Sequence, residues 1–343
     1  MPEQLLERRW ESTSLGSRAF RFAMSPFGAA FGGIVTLRNA AYDRGWLASR
    51  HLGLPTMSVG NLTVGGTGKT PLASWAAAEL LAAGHRPAIL MRGYGADEEL
   101  VHRHLLPNVI VVPDRDRVRG AATARAQGAT VLVLDDGFQH RRARRDVDLV
   151  IVSADRHRQV RLLPAGPWRE PMRSLRRATH IVVTRKRTTP LHAREVLEYA
   201  TRMAPGVPGA VVHLCADHLV DWRSGRRRPL DAAAGARVLA ISAIGDPRAF
   251  EAQLRLAGVR ITSRSFRDHH AYGARDVQRL ANDAGALDYA VCTLKDAVKL
   301  GPLWPTGGPP LWYLSQRAVI EQGEESMHDA VRRLVAAAPS VRP

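Results

Sequence analysis

A glycine-rich run, Gly65-Gly66-Thr67-Gly68-Lys69-Thr70, is the most reactive-looking segment of the chain. A short apolar run precedes it and an alanine- and leucine-rich stretch follows, the strand-to-helix context of a Walker A loop. Small residues let backbone N–H groups turn inward around phosphate oxygens, and the helix N-terminus adds its positive end. Lys69 would then meet the β- and γ-phosphates of a nucleoside triphosphate, and the Thr70 hydroxyl would meet Mg²⁺. The general pattern has glycine where this chain has Thr63. Asp135 and Asp136 follow the apolar run Val131-Leu132-Val133-Leu134 as a Walker B acid does. Two adjacent carboxylates at a strand end are costly unless a cation relieves them, so Mg²⁺ is a sensible partner. Lysine, threonine and acid together are the parts of phosphoryl transfer from ATP, but they do not name the acceptor.

Those residues need a scaffold that brings strand ends together. Apolar β-type runs at 56–59, 87–91, 109–112, 130–134, 148–152 and 180–183 alternate with helical stretches, the first of them 69–83, which stops at Gly84. That alternation predicts an α/β fold, a P-loop kinase-type parallel sheet flanked by helices. The residues just past the runs are the glycine loop, Arg92-Gly93-Tyr94-Gly95, Pro113-Asp114-Arg115 and Asp135-Asp136. Ligands bind beyond the carboxyl ends of strands in such sheets, so these groups should share one edge. A second, smaller α/β pattern follows residue 232, with strands expected at 237–243, 260–266 and 289–293 and helices at 247–257 and 274–284. Asp221 to Arg228 reads as a turn or linker, and a last apolar run covers 311–314.

At 343 residues with 45% hydrophobic content the chain can bury a large core and form two domains. Cys215 and Cys292 are too far apart in sequence to argue for a disulfide or a metal site. The formal charge of +17 calls for a polyanionic partner: nucleic acid, anionic bilayer or phosphorylated substrate. Dispersed arginines and an aromatic content of only 6% speak against nucleic acid. Of 49 basic residues only Lys69, Lys186, Lys295 and Lys299 are lysines, so each merits inspection as a position where a compact ammonium is wanted. The mixed charges at the N-terminus do not read as a signal peptide. Residues 22–37 carry no charge but are short for a bilayer crossing and are interrupted by Pro26, Gly28, Gly32 and Gly33. Flanked by Arg18, Arg21, Arg38 and Arg44, they read as a segment lying in an anionic membrane interface, or as a helix on the protein's own core.

The run from Ser58 to Pro71, Ser-Val-Gly-Asn-Leu-Thr-Val-Gly-Gly-Thr-Gly-Lys-Thr-Pro, closely resembles the loop of the tetraacyldisaccharide 4′-kinase family. The resemblance continues through Arg92-Gly93-Tyr94-Gly95, Asp135-Asp136-Gly137-Phe138-Gln139-His140 and Leu163-Pro164-Ala165-Gly166-Pro167-Trp168-Arg169-Glu170-Pro171. It extends to Asp268-His269-His270-Ala271-Tyr272 and Thr293-Leu294-Lys295-Asp296-Ala297-Val298-Lys299, so ordered blocks cover about residues 20 to 300. Thr63 is an ordinary occupant of its position in that family. The resemblance implies a monotopic enzyme on the cytoplasmic face of the bacterial inner membrane. It would use ATP and Mg²⁺ to phosphorylate the 4′-hydroxyl of a tetraacyldisaccharide 1-phosphate.

By the same resemblance, Ala96-Asp97-Glu98-Glu99 matches the block that bears the family's catalytic carboxylate, although that block's glycine and proline are replaced. Asp97 is then the base and His269 its orienting partner, with the base in the first domain and the histidine in the second, so that catalysis would require the two halves to close over the substrate. Glu98 joins Thr70, Asp135 and Asp136 as a candidate metal ligand. Thr63, Gly65, Gly66, Thr67, Gly68, Lys69 and Thr70 would hold the nucleotide. Asn61, Arg92, Tyr94, Arg115, Gln139, His140 and Arg169 are candidates for substrate contact. The expected organisation is a membrane-associating helical segment over 1–55, a P-loop kinase domain over 56–220 and a smaller C-terminal α/β domain over 221–343, as a monomer. A P-loop assembly GTPase or ATPase is the first alternative, but no Asn-Lys-x-Asp guanine-reading motif occurs in the chain. A soluble sugar or cofactor kinase is the other.

Overall fold

The computed structural model describes residues 9, 10, 12–93, 96–155 and 160–337. The chain divides into two compact units. The first comprises 1–93, 106–213 and 319–343, and the second 94–105 and 214–318. The C-terminal residues thus return to the first unit, and the short segment that begins at residue 94 groups with the second.

The sheet of the first unit is built from β1 (Thr56–Asn61), β2 (Pro87–Met91), β3 (Ile110–Pro113), β4 (Val131–Asp135), β5 (Val147–Ser153), β6 (His180–Arg185) and the start of β7 (Gly209–Asp221). Its order is β3-β2-β4-β1-β5-β6-β7, and the pairs are parallel. All six residues of β1 are buried, as befits a central strand covered on both faces. Between β1 and β4 the chain builds out on one side, and with β5 it crosses to the other. The order therefore reverses at β1, and a crevice at such a reversal is where open α/β sheets bind ligands. The loop that leaves β1 is the glycine-rich one.

Helices α3 (Lys69–Ala82), α5 (Arg117–Ala126) and α6 (Pro190–Met203), together with α10 (Glu324–Ala337), belong to this unit. Residues Leu72, Ala73, Ala76, Ala77 and Leu80 of α3 are buried, an i, i+4, i+8 stripe laid on the sheet. The six strands expected here formed within two residues of their predicted limits. Strand β7 was not anticipated, because its polar residues His213, Asp217 and His218 interrupt the apolar run.

Before the sheet come α1 (Leu15–Ala23) and α2 (Ser25–Asp43). The α2 face that meets the body is made of small and polar residues. A Cβ on Gly28 would stand 3.2 Å from Ala165 Cβ and from the Leu162 carbonyl, and one on Gly32 would stand 2.6 Å from Leu162. Farther along, Asn39 Nδ2 donates to Glu170 Oε2 at 2.8 Å, and Arg141 bridges Asp43 at 2.7 Å. The face pointing away carries Phe27, Ile34 and Leu37, with Ile34 65% and Leu37 73% exposed. Such a helix has its polar side inward and its apolar side outward. Among the described residues no single helix is long and apolar enough to cross a membrane; α1 and α2, which meet at 45°, pass that test only as a bent pair.

The second unit contains α4 (Ala96–Leu105), β8 (Arg227–Pro229), β9 (Arg237–Ser242), α7 (Pro247–Leu256), β10 (Arg260–Ser265), α8 (Ala274–Gly285), β11 (Tyr289–Thr293) and α9 (Leu294–Leu300). Strand β12 (Leu311–Gln322) begins in this unit and ends in the first. The order β10-β9-β11-β12-β7 is joined by β8, which pairs antiparallel with β7 across the 221–226 turn. Leu280, Ala281 and Ala284 of α8 pack with Ala290 and Cys292 of β11 over the same core as Tyr272 and Leu300.

Candidate active site

The first cluster of functional side chains lies around the glycine loop. Gly65 and Gly68 have φ of 92° and 95°, the left-handed region that lets the loop fold back on itself before α3 begins. Asn61, at the end of β1, donates from Nδ2 to Thr67 Oγ1 at 2.7 Å, and Thr184 of β6 donates to the Thr67 carbonyl at 2.8 Å. The opposite wall comes from the Pro167-Trp168-Arg169 segment. Val64 N–H donates to the Pro167 carbonyl at 2.9 Å, Thr63 bridges Trp168, and Arg169 N–H donates to Leu62 at 2.7 Å. The loop conformation is therefore fixed by neighbours on both sides, which is what a preformed phosphate cradle requires.

Lys69 reaches Asp136 at 3.8 Å, and Arg169 Nη1 donates to both Asp136 oxygens at 2.9 and 2.8 Å. Burial alone would raise the Asp136 pKa, but Lys69, Arg169 and Arg117 outweigh it and hold the carboxyl below its usual range. Asp136 sits at φ 58°. Its close placement follows from the Asp135-Asp136-Gly137-Phe138 turn packing on β1, where a Cβ on Gly60 would stand 2.5 Å from Phe138 Cβ. Asp135 is buried at the strand end, with the buried Arg117 guanidinium donating to its carbonyl at 3.5 Å. Gln139 donates to the Asn61 carbonyl at 2.8 Å and accepts from Arg169 at 3.4 Å. His140 is held neutral, its pKa lowered to about 4 by burial and by Arg117 and Arg145. Hydroxyl and carboxylate oxygens from Thr70, Asp135 and Asp136 are the hard donors that Mg²⁺ takes, so the residues fit the ion. Arg92 and Arg115 are exposed at the ends of β2 and β3, and Tyr94 lies outside the described residues.

A second cluster belongs to the other unit. Asp97, in the first turn of α4, is 3% exposed, and its Oδ2 and Oδ1 lie 2.8 and 3.1 Å from His269 Nδ1. Burial works to raise the Asp97 pKa, yet hydrogen bonding to His269 and the charges of Lys295, His269 and Lys299 lower it overall. The same hydrogen bond raises the His269 pKa against the opposing effect of its partial burial. Each partner thus favours the charged form of the other. His269, like Asp136, has φ 58°, and these two are the non-glycine residues with positive φ among those described. Sparsely populated backbone of this kind persists where surrounding structure enforces it and concentrates at functional sites.

What enforces it at His269 is a buried carboxylate the sequence did not single out. Asp296 accepts from Ala243 N–H at 3.1 and 3.2 Å, from Tyr272 Oη at 2.9 Å and from Thr293 Oγ1 at 2.6 Å. Ala243 in turn accepts the His269 N–H at 3.2 Å, and Lys299 donates to the His270 carbonyl at 3.0 Å. His270 turns the other way, bonded to Asp276 at 3.0 Å and stacked on Phe266, which settles which of the adjacent histidines meets the acid. Helix α4 groups with residues 214–318, so Asp97 and His269 share a unit, whereas chain order had put them in different halves. Glu98, offered above as a metal ligand, is salt-bridged to Lys295 at 3.4 Å within the same unit. Among the described residues no group of three or more His, Cys, Asp or Glu side chains is gathered as a metal site.

Known proteins bear on what these clusters serve. The family model described as LpxK, tetraacyldisaccharide-1-P 4′-kinase, matches residues 20–336. A protein of Anaeromyxobacter sp. strain K named tetraacyldisaccharide 4′-kinase is 35% identical over 98% of this chain and 96% of its own length. One of the same name from Geobacter sulfurreducens is 36% identical over 79% of this chain and 82% of its own. The crystal structure of LpxK from Aquifex aeolicus, a complex with ATP, superposes with a TM-score of 0.73 at 29% identity, covering 92% of this chain and 99% of that one. The chain belongs to the tetraacyldisaccharide-1-phosphate 4′-kinase family, ATP-dependent enzymes that phosphorylate a lipid A precursor at its 4′ position.

Proposed function

We propose that this chain transfers the γ-phosphate of ATP to the 4′-hydroxyl of a tetraacyldisaccharide 1-phosphate, giving lipid IVA at a membrane surface. The observation that carries the reading is the buried Asp97 carboxylate 2.8 Å from His269 Nδ1. A phosphate loop alone suits any nucleoside triphosphatase, whereas a carboxylate of this kind suits an alcohol acceptor whose proton must leave. Lys69 and Arg169, which here meet Asp136, are the cations for the phosphates. Thr70, Asp135 and Asp136 would hold Mg²⁺, which would supply further positive charge to offset that of the triphosphate. Asn61 and Gln139 keep the loop and the Asp136 turn in register. Arg92, Tyr94, Arg115 and His140 are left as sugar or 1-phosphate contacts. The test is incubation of the purified full chain with radiolabelled ATP and the tetraacyl disaccharide 1-phosphate. A doubly phosphorylated lipid is expected, and ATP hydrolysis without lipid labelling would sink the reading.

The acceptor's acyl chains place it in a bilayer, and the outward apolar face of α2 supplies the means of reaching it. Phe27, Ile34 and Leu37 would enter the interface while Arg18, Arg38 and Arg44 meet anionic headgroups. Ile34→Asp with Leu37→Asp leaves the Gly28, Gly32 and Asn39 packing untouched. Burial of each of these side chains contributes about 1.5–3 kcal/mol, so partitioning onto anionic vesicles should fall by roughly a hundredfold or more. Turnover on detergent-dispersed lipid should persist. Unchanged vesicle binding by the double variant would remove α2 as the membrane contact.

A further inference from the structure

Three of the four lysines already have evident tasks: Lys69 meets Asp136, Lys295 meets Glu98, and Lys299 meets the His270 carbonyl. Lys186 is the fourth, and phosphoryl transfer as described makes no use of it. It stands just past β6, on the side of the glycine loop where Thr184 secures the Thr67 carbonyl. Its Nζ donates to the neighbouring Gly66 carbonyl at 3.4 Å. Its backbone is fixed as firmly as its head. Asp155, just past β5, accepts the N–H groups of Lys186, Arg187 and Thr188 at 2.5, 2.9 and 2.8 Å. Four methylene groups therefore connect a turn held by one carboxylate to an ammonium that meets the phosphate loop. With its charge placed on a backbone carbonyl, this half-buried side chain can offer the loop's edge its apolar stem. An apolar surface fixed in advance suits the face of a flat heteroaromatic ring, because binding then costs little ordering of the lysine.

We propose that Lys186 forms part of the nucleoside subsite, with the adenine base of ATP lying on its methylene stem; this rests on the phosphate-loop reading above. The turn also bears on base choice. Guanine presents N–H donors that a carboxylate would read, but residues 186–188 are Lys, Arg and Thr, and the nearby Asp155 oxygens receive backbone N–H groups. The base is held here by its face, and Lys186 contributes equally to ATP and GTP.

Equilibrium binding by calorimetry on the full chain in detergent, without lipid acceptor, tests this with ATP, GTP and inorganic tripolyphosphate as separate ligands. Lys186→Ala should weaken ATP and GTP about tenfold, the loss expected when about two methylene groups leave an apolar contact. Tripolyphosphate affinity should stay within about twofold of the unaltered protein, since the phosphate cradle is unchanged. Lys186→Met, which keeps the stem and drops the tether, should lose less than the alanine variant, and it serves if Lys186→Ala does not fold. Equal weakening of ATP and tripolyphosphate would make Lys186 a brace of the loop alone, and unchanged ATP affinity would remove it from the subsite; either overturns the proposal. Lys69→Ala is the control: if it bound ATP and tripolyphosphate normally, the phosphate-loop reading itself would fall.

Discussion

Lys69→Ala should lower turnover by roughly a hundredfold or more while leaving the protein folded. Stabilising charge that develops on the transferring phosphoryl group is worth several kcal/mol per well-placed donor, and Lys69 is the cation that α3 presents at the loop. Folding should survive, because the Lys69 ammonium meets Asp136 at 3.8 Å, and Asp136 keeps its two shorter bonds from Arg169. The measurement is kcat on the lipid acceptor together with thermal unfolding of the variant. Near-normal kcat in a folded Lys69→Ala protein would mean that the glycine loop is not where ATP reacts.

The second large effect concerns the dyad. Phosphoryl transfer has a loose transition state, so a base contributes orientation and late proton acceptance, commonly about 10² to 10⁴-fold. Asp97→Ala and His269→Ala should each lose activity on that scale, and the double variant should be little worse than the poorer single one, because the two groups act as a unit. Multiplicative losses would show independent roles. The pair also makes a spectroscopic prediction with a definite sign. Asp97 favours the protonated imidazole, so in an NMR titration His269 should keep its proton to higher pH than an ordinary histidine, and Asp97→Asn should bring the midpoint down. The protonated imidazolium weakens Asp97 as a proton acceptor, so kcat should rise with pH across the same titration, which belongs to the pair rather than to either residue. A His269 midpoint indifferent to Asp97→Asn would dissolve the dyad.

Much of this was written in the chain's local patterns. The β1 run, the glycine loop and the α3 stripe depend on short-range rules, apolar period and glycine φ, and the residues that satisfy them are consecutive. The Lys69–Asp136 approach follows too, since both lie just past strands that pair directly, β1 with β4. The rarity of lysine was a further usable signal, for all four lysines meet carboxylates or carbonyls at or beside the two clusters.

Tertiary structure decided what local pattern could not. Helix α4 precedes β3 in sequence, yet it packs with α9 and so takes Asp97 to His269, a pairing across 172 residues that no periodicity encodes. The left-handed backbone of Asp136 and His269 is likewise set from outside, by the Val59 carbonyl that receives the Asp136 N–H and by Ala243 held through Asp296. Residues 22–37 were ambiguous between membrane and core because composition does not say which face of a helix is packed. Only the close approach of Gly28 and Gly32 to the Leu162 segment turned the polar side inward and left Ile34 and Leu37 facing out. The candidate phosphate site was legible in consecutive residues, since it needs one loop and one strand end. The acid–histidine pair, which only the family resemblance had pointed to, and the outward face of α2 were decided in space, because each depends on contacts between segments far apart in the chain.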